Sequence, residues 1–534
     1  MAIETIPAAL HDAVRRFPAN DALVDDDRSL TYAEVGEATE ELARALITSG
    51  VGVVDRVSIW GPNGVDWALL ALAVYRAGAV LVPLNTRFKA AEAGHVLRAA
   101  NVRFLFAAGD FLGIDYVRLL DDEPGLDRLA EIVTLPGPSS AGATPWDEFR
   151  ARASDGCGYR SVLVAYREQV LQGDDVADIV FTSGTTGVPK GAMLTHAASI
   201  RTYLSWTDGI GLRSTDRFLV VFPYFQTSGL KAGILACVRR GAANVPQAVF
   251  DVADVARRIA LHDITVVPGA PTMFQDMIGA ARESGLNLAS LRIAVTGGAT
   301  TPVEVIRQMH DELRLETIVT AYGLTETTGA VSMNRHDDPL GQIATTVGRP
   351  LPGVEVRIVD DGGRDVAVGE PGEILVRGFN VMRGYLDDAA ATAATIDADG
   401  WLRTGDVGTH DSGGVLRITD RKKDMVIVGG FNVYPAEVEN VLVGHPAVAQ
   451  VAVVGVPHER LGEVCAAFVI PRAGRVVDAD EVVAWCRERM ANYKAPRHVT
   501  TVDAFPLNPM GKVQKFRLRE LARDIESPPT TERA

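Results

Sequence analysis

Between Phe181 and Gly191 the chain reads Phe-Thr-Ser-Gly-Thr-Thr-Gly-Val-Pro-Lys-Gly. Gly184, Gly187 and Gly191 leave the backbone bare, so successive N–H groups can close on an anion. The hydroxyls of Thr182, Ser183, Thr185 and Thr186 add donors, and Lys190 adds a mobile positive charge suited to phosphate. It is not a Walker-A loop, because Gly-x-x-x-x-Gly-Lys-Ser/Thr is absent and Gly191 follows Lys190. A phosphate cradle accounts for this set of residues better than a Ser/Thr/Gly-rich surface linker does.

Other stretches carry chemistry only in company. Val295–Thr300 includes Gly297, Gly298 and Ala299, which alone mark a tight turn. In Thr320–Glu326, Tyr322 can stack on a base, Thr325 can contact a phosphate and Glu326 can offer Mg²⁺ an oxygen ligand. A core tyrosine beside a surface glutamate is the plain alternative. Trp401–Asp406 ends in a carboxylate able to accept hydrogen bonds from two ribose hydroxyls. Gly429, Gly430 and Phe431 form another glycine-rich stretch, and Lys512 closes the Pro/Gly loop Pro506–Lys512. By itself Lys512 reads as a surface lysine.

These groups need elements to hold them. Asp178–Phe181 reads as a short buried strand feeding the first loop. Thr31–Glu34 is a capping box, and Val35, Ala38, Leu42, Ala45 and Leu46 continue at helical spacing until Gly50. Strand Arg56–Trp60, helix Val65–Arg76 and strand Val80–Leu84 follow. Further strands are expected at 104–108, 217–221, 265–267 and 292–295, with the apolar stretch Leu230–Cys237 between them. Strand–helix alternation predicts mostly parallel, doubly wound sheets, with ligands at the strand carboxyl ends. After about residue 345, short strands at 355–359 and 373–376 suggest an antiparallel or barrel-like piece. Asp420–Asp424 is expected to be a charged, exposed break. Beyond it, about 110 residues with their own strands and helices are domain-sized.

At 534 residues, more than one core is expected. The net charge of -15 argues against nucleic acid or an anionic membrane as partner. Cys157, Cys237, Cys465 and Cys486 lack Cys-x-x-Cys spacing, which fits reduced thiols in the cytoplasm and no structural zinc. No secretory signal is read at the N-terminus. Trp67–Leu84 is interrupted by Arg76, Gly78 and Pro83, so a buried helix and strand are expected there rather than a membrane span.

Taken in order, these motifs resemble the acyl-adenylate-forming (AMP-binding) superfamily over about residues 10–520. The resemblance implies an AMP-forming acid-thiol ligase of the acyl-CoA synthetase branch, using ATP, Mg²⁺ and CoA with a small carboxylic acid. It implies an α/β fold with a large N-terminal domain of doubly wound sheets (1–421) that includes a barrel-like subdomain. A hinge at 422–424, a mobile α+β C-terminal domain (425–524) and a disordered tail (525–534) complete the expected layout. Thr182–Lys190 would close over the β- and γ-phosphates. Gly297, Gly298 and Ala299 would flank adenine, with Tyr322 stacked on it and Gly323 beside it. Thr325 would meet the α-phosphate, Glu326 would hold Mg²⁺, and Asp406 and Arg421 would hold the ribose. Lys423 matches the hinge, Lys512 the lysine bridging carboxylate and α-phosphate, and Gly429–Phe431 the pantetheine tunnel. A homodimer and a lysine acyltransferase and deacylase acting on Lys512 are the further partners expected.

One departure touches the acid. Where relatives read Pro-x-Phe-His-x-x-Gly, this chain has Pro223-Tyr-Phe-Gln-Thr-Ser-Gly229. Tyr224, Phe225, Gln226, Gly229, Ala299 and Ala321 are the acyl-pocket candidates, with Phe225 readable as core. Phe106–Gly113, Lys231–Cys237, Gly269–Thr272 and Gly430–Glu437 look like the actinobacterial ligases of sterol-ring catabolism, which activate a bicyclic indane-propanoate (HIP-CoA ligases). Medium-chain fatty acids, aromatic acids and a carrier protein loaded in trans are the alternatives.

Overall fold

The computed structural model describes residues 3–182, 189–284, 288–297, 303–421, 424–428, 431–458, 461–490, 492–507 and 513–526. Ser183–Thr186, Gly187, Gly298, Ala299, Lys423, Gly429, Gly430 and Lys512 therefore lie outside the described residues.

A seven-stranded sheet runs in the order Gly384–Tyr385, Lys190–Thr195, Val176–Thr182, Val80–Pro83, Arg56–Trp60, Phe104–Ala107 and Glu131–Thr134. Its last five strands are parallel, and Lys190–Thr195 returns antiparallel to Val176–Thr182. A nine-stranded sheet is built around Thr317–Tyr322, Ile293–Gly297, Val266–Gly269, Arg217–Val220 and Ala243–Pro246, all parallel. Alternating side chains explain why both faces of each sheet are covered. Phe104 and Phe106 join one core while Leu105 and Ala107 join another; Phe218 and Val220 are likewise separated from Leu219. The first of these cores holds residues of both sheets together with helices Ile6–Arg16, Tyr32–Thr48 and Val65–Arg76.

The capping box is present, with the Thr31 N–H donating to Glu34 at 2.8 Å and the Glu34 N–H donating to the Thr31 hydroxyl at 3.3 Å. Trp67–Leu84 resolves into the buried helix Val65–Arg76 and the strand Val80–Pro83, and among the described residues no helix is long and apolar enough to cross a membrane.

After residue 345 the strands Val354–Val359, Gly372–Gly378, Leu402–His410 and Leu416–Arg421 form one antiparallel sheet. A separate core holds only residues from Val426 to Ala522, around the long antiparallel pair Val448–His458 and Gly462–Pro471.

Four local expectations are sharpened. Within the apolar stretch Leu230–Cys237, Leu230–Leu235 is a π-helical turn that passes into the α-helix Ala236–Arg240. Lys190 does not belong to the loop alone but opens the returning strand. Asp420 and Arg421 complete the strand Leu416–Arg421 in register with Val407 and Asp406, so the backbone is still paired at the first two positions of the expected break. The final helix reaches Glu526, so positions 525 and 526 are helical rather than tail.

Candidate active site

The strand Val176–Thr182 and its antiparallel partner Lys190–Thr195 set Thr182 opposite Lys190. The two ends of the candidate phosphate loop are thus fixed by sheet register. Close packing reinforces it, since a Cβ on Gly191 would lie 2.8 Å from Ile179 Cγ2. The edge strand Gly384–Tyr385 pairs with Lys190–Thr195, bringing the Tyr385 ring 5.4 Å from Lys190 Nζ.

Glu326 meets this hairpin from the neighbouring sheet. It lies in the single turn Thr325–Thr327, and its backbone carbonyl accepts from the Met382 N–H at 2.8 Å. Its Oε1 accepts from the Thr182 hydroxyl at 3.3 Å and from the Tyr385 hydroxyl at 2.9 Å. Burial, with the adjacent Glu326 carboxylate next in weight, pushes the Tyr385 phenol well above its ordinary pKa, so it remains a donor. Motif spacing along the chain carried no signal for Tyr385.

Tyr322 ends the strand Thr317–Tyr322, and its hydroxyl donates to Asp406 Oδ2 at 2.7 Å. Asp406 is buried and set by its neighbours: its N–H donates to the Thr404 hydroxyl, which donates to the Ile374 carbonyl. An aromatic face and a carboxylate therefore stand side by side, a pairing that suits a base and the adjoining ribose. Gly297 pairs with Ala321, and a Cβ there would lie 2.7 Å from the Ala321 carbonyl oxygen. Gly323 leaves no room either, with a Cβ 2.4 Å from the Gly329 carbonyl oxygen.

The turn Pro223–Gly229 packs at Gly329, two residues after the Glu326 turn. A Cβ on Gly329 would come within 3.1 Å of the Thr227 hydroxyl. Gln226 is half-buried, caps Thr227–Gly229 and accepts from Ser228 at 3.3 Å. Ala321 is also half-buried. Tyr224 points elsewhere: its ring packs on Trp67 at 5.1 Å and its hydroxyl donates to Asn244 at 2.5 Å, inside the core. Tyr224 is thus a support of the turn rather than a pocket wall, and Phe225 is buried as well. Gly229 is required by its closest neighbour, since a Cβ would lie 2.1 Å from the Pro223 carbonyl oxygen. The role of Thr227 was not legible from the sequence.

In the C-terminal part, Val426–Val428 and Phe431–Val433 pair across residues 429–430. Leu507 bridges to Val513 across residues 508–512. Asp406 stands in register with Arg421.

The pattern of the AMP-binding enzyme family matches residues 10–386, and that of the AMP-binding enzyme C-terminal domain matches 437–512. The chain belongs to the AMP-binding enzymes. Among AMP-binding enzymes, it is 48% identical over 519 residues to the 3-((3aS,4S,7aS)-7a-methyl-1,5-dioxo-octahydro-1H-inden-4-yl)propanoyl:CoA ligase of Mycobacterium tuberculosis, covering 97% of this chain and 99% of that one. It is 45% identical over 520 residues to the ligase of the same description from Rhodococcus jostii, covering 97% and 98%. The crystal structure of the anthranilate CoA ligase AuaEII in complex with anthranoyl-AMP superposes with a TM-score of 0.85 at 26% identity, covering 98% of each chain. In this AMP-binding enzyme the Tyr322–Asp406 and Thr182–Glu326–Tyr385 groups both fall within, or within twenty residues of, the first matched region.

Proposed function

We propose that this chain is an ATP-dependent acid:CoA ligase whose acid is the bicyclic indane-propanoate. In the first half-reaction a carboxylate oxygen attacks the α-phosphorus of ATP, giving acyl-AMP and pyrophosphate. In the second, the CoA thiol attacks the acyl carbonyl, loses its proton, and releases AMP.

The observation that carries this reading is the convergence of Thr182 and Tyr385 on Glu326, with the Pro223–Gly229 turn packed at Gly329 close by in the chain. A hydroxyl from the start of the candidate phosphate loop, a carboxylate and the candidate acid-binding turn in one region support it. Tyr322 and Asp406 serve adenine and ribose, with Arg421 beside Asp406. Gly297, Gly298, Ala299 and Gly323 flank the adenine in this reading. Thr182–Gly187 and Lys190 enclose the β- and γ-phosphates, Thr325 orients the α-phosphate, and Lys512 bridges it to the substrate carboxylate.

Glu326 and the Thr182 hydroxyl present hard oxygen atoms, which fit Mg²⁺. Held by Glu326, the ion would supply charge neutralisation for the phosphate oxygens. Lys423 is the hinge that withdraws Lys512, and Gly429–Phe431 line the thiol's approach.

The choice of acid follows the two ligases sharing nearly half of this sequence. Their acid, as named, joins a propanoate to a fused bicycle with two ketones, so recognition requires apolar area and hydrogen-bond donors. Gln226 supplies an amide donor beside the turn. The reading extends to a cytoplasmic homodimer switched off when an acyltransferase neutralises Lys512 and restored by a deacylase. Sedimentation, and activity before and after acylation of Lys512, check those parts.

ATP–pyrophosphate exchange without CoA is expected with the bicyclic propanoate, at higher kcat/KM than with octanoate or benzoate. Chromatography should then detect its CoA thioester once CoA is added. No exchange with any of these acids overturns the ligase reading, and a preference for octanoate or benzoate overturns the choice of acid. Lys512→Ala is expected to lose exchange by at least about a hundredfold while still converting supplied acyl-AMP to thioester. Equal loss in both halves would remove Lys512 from its proposed role.

A further inference from the structure

One charged pair is sealed from solvent beside the turn assigned to the acid. The side chains of Lys231 and Asp178 are 1% and 0% exposed. Lys231 Nζ donates to one Asp178 carboxylate oxygen, and the Tyr75 hydroxyl donates to the other. Lys231 Nζ also stands 5.5 Å from the Tyr75 ring centroid, and Tyr75 meets the ring of His196 edge-on at 5.8 Å. Burial lowers the Lys231 pKa, with Asp178 opposing that shift.

Such a pair contributes little net stability. Desolvation costs several kcal/mol per ion, and a well-packed apolar pair is often as stable or more so. A fixed register is the use that remains. Asp178 lies in the strand that ends at Thr182, held on both sides by Val80–Pro83 and Lys190–Thr195. Lys231 lies in the π-helical turn Leu230–Leu235, immediately after Gly229. A π turn inserts an extra residue into a helix and recurs at functional sites. Here its one charged side chain is tied to the rigid strand, so the strand sets where the turn begins.

We propose that Lys231 and Asp178 form a positioning clamp that holds the acid-binding turn Pro223–Gly229 at a set depth relative to the phosphate-loop strand. Neither residue touches the reactants. The clamp rests on the reading of Pro223–Gly229 as the wall of the acyl pocket. Releasing it lets the π turn slide while the strand keeps its sheet neighbours, so acid binding loosens and ATP binding does not.

The test uses the full-length enzyme and pyrophosphate exchange with the acid that the wild type prefers. Lys231→Met combined with Asp178→Asn removes both charges and leaves Tyr75 an acceptor. The expected result is an acid KM raised about tenfold, with the ATP KM within about twofold of wild type. Tyr75→Phe removes only one hydrogen bond to Asp178 and is expected to raise the acid KM about two- to fourfold. If the double variant fails to fold, Tyr75→Phe decides. An unchanged acid KM, or equal rises in both KM values, overturns the clamp. Gln226→Ala separates the two readings: if it raises the acid KM while the clamp variants do not, the pocket stands and the clamp falls. If all three are silent, both fall.

Discussion

Glu326 receives two hydroxyls on one carboxylate oxygen, from Thr182 and Tyr385. Tyr385 also lies under Lys190, so a single phenol touches both the metal-suited carboxylate and the loop's cation. Tyr385→Phe keeps the ring and removes the donor. We expect pyrophosphate exchange to fall about fivefold, the effect of one hydrogen bond worth about 1 kcal/mol. Unchanged exchange over a full ATP and Mg²⁺ titration would show that the hydroxyl does not position Glu326. Tyr322, Glu326 and Asp406 were legible as chemistry-bearing residues, because their types narrow what each can do. Tyr385 was not, because a tyrosine after a glycine in Met382–Tyr385 fits any strand edge.

The elements divide along similar lines. Strand Arg56–Trp60 and helix Val65–Arg76 fall where apolar periodicity puts them, since each buries a face whose repeat matches its own geometry. The π turn at Leu230–Leu235 was hidden: Lys231 interrupts an otherwise apolar run without changing its apparent period. The strand Lys190–Thr195 was hidden by the glycine, proline and lysine at its start. The connection at 422–424 is assigned a hinge role, and its consequence belongs to this scale. Lys423→Pro is expected to leave exchange within about threefold and to reduce thioester formation from acyl-AMP at least tenfold, because proline restricts φ to a narrow range. Equal losses in rapid-quench measurements of the two half-reactions would move the hinge elsewhere.

At the scale of the whole molecule, separate cores serve the sheets and the C-terminal part. One buried histidine ties distant segments of the first part. His196 opens the helix His196–Ile210, and its Nδ1 accepts the Ile6 N–H at 3.4 Å. Burial, and then the charge of Lys231, holds its pKa down to about 3 against an ordinary 6.5. Between those values the unfolded chain binds a proton that the folded chain refuses. The stabilising contribution is therefore complete above pH 6.5 and declines as pH falls toward 3, by at most about 5 kcal/mol. His196→Asn is expected to flatten the dependence by up to about 1.4 kcal/mol per pH unit in that window. Urea unfolding at pH 7, 6, 5 and 4 measures the slope, and parallel curves for variant and wild type would contradict it.

Residue types in order were enough to place this chain in its family and to set out its alternating strands and helices. Local propensity and burial period act over a few residues, and the candidate phosphate loop keeps its glycines and hydroxyls contiguous in the sequence. Tertiary structure alone decided which distant groups meet. Tyr322 reaches Asp406 across 84 positions, Thr182 reaches Glu326 across 144, and Lys231 reaches Asp178 across 53. Each pair joins different elements, so its meeting depends on sheet register and on how helices pack over the strands. Spacing along the chain carries neither.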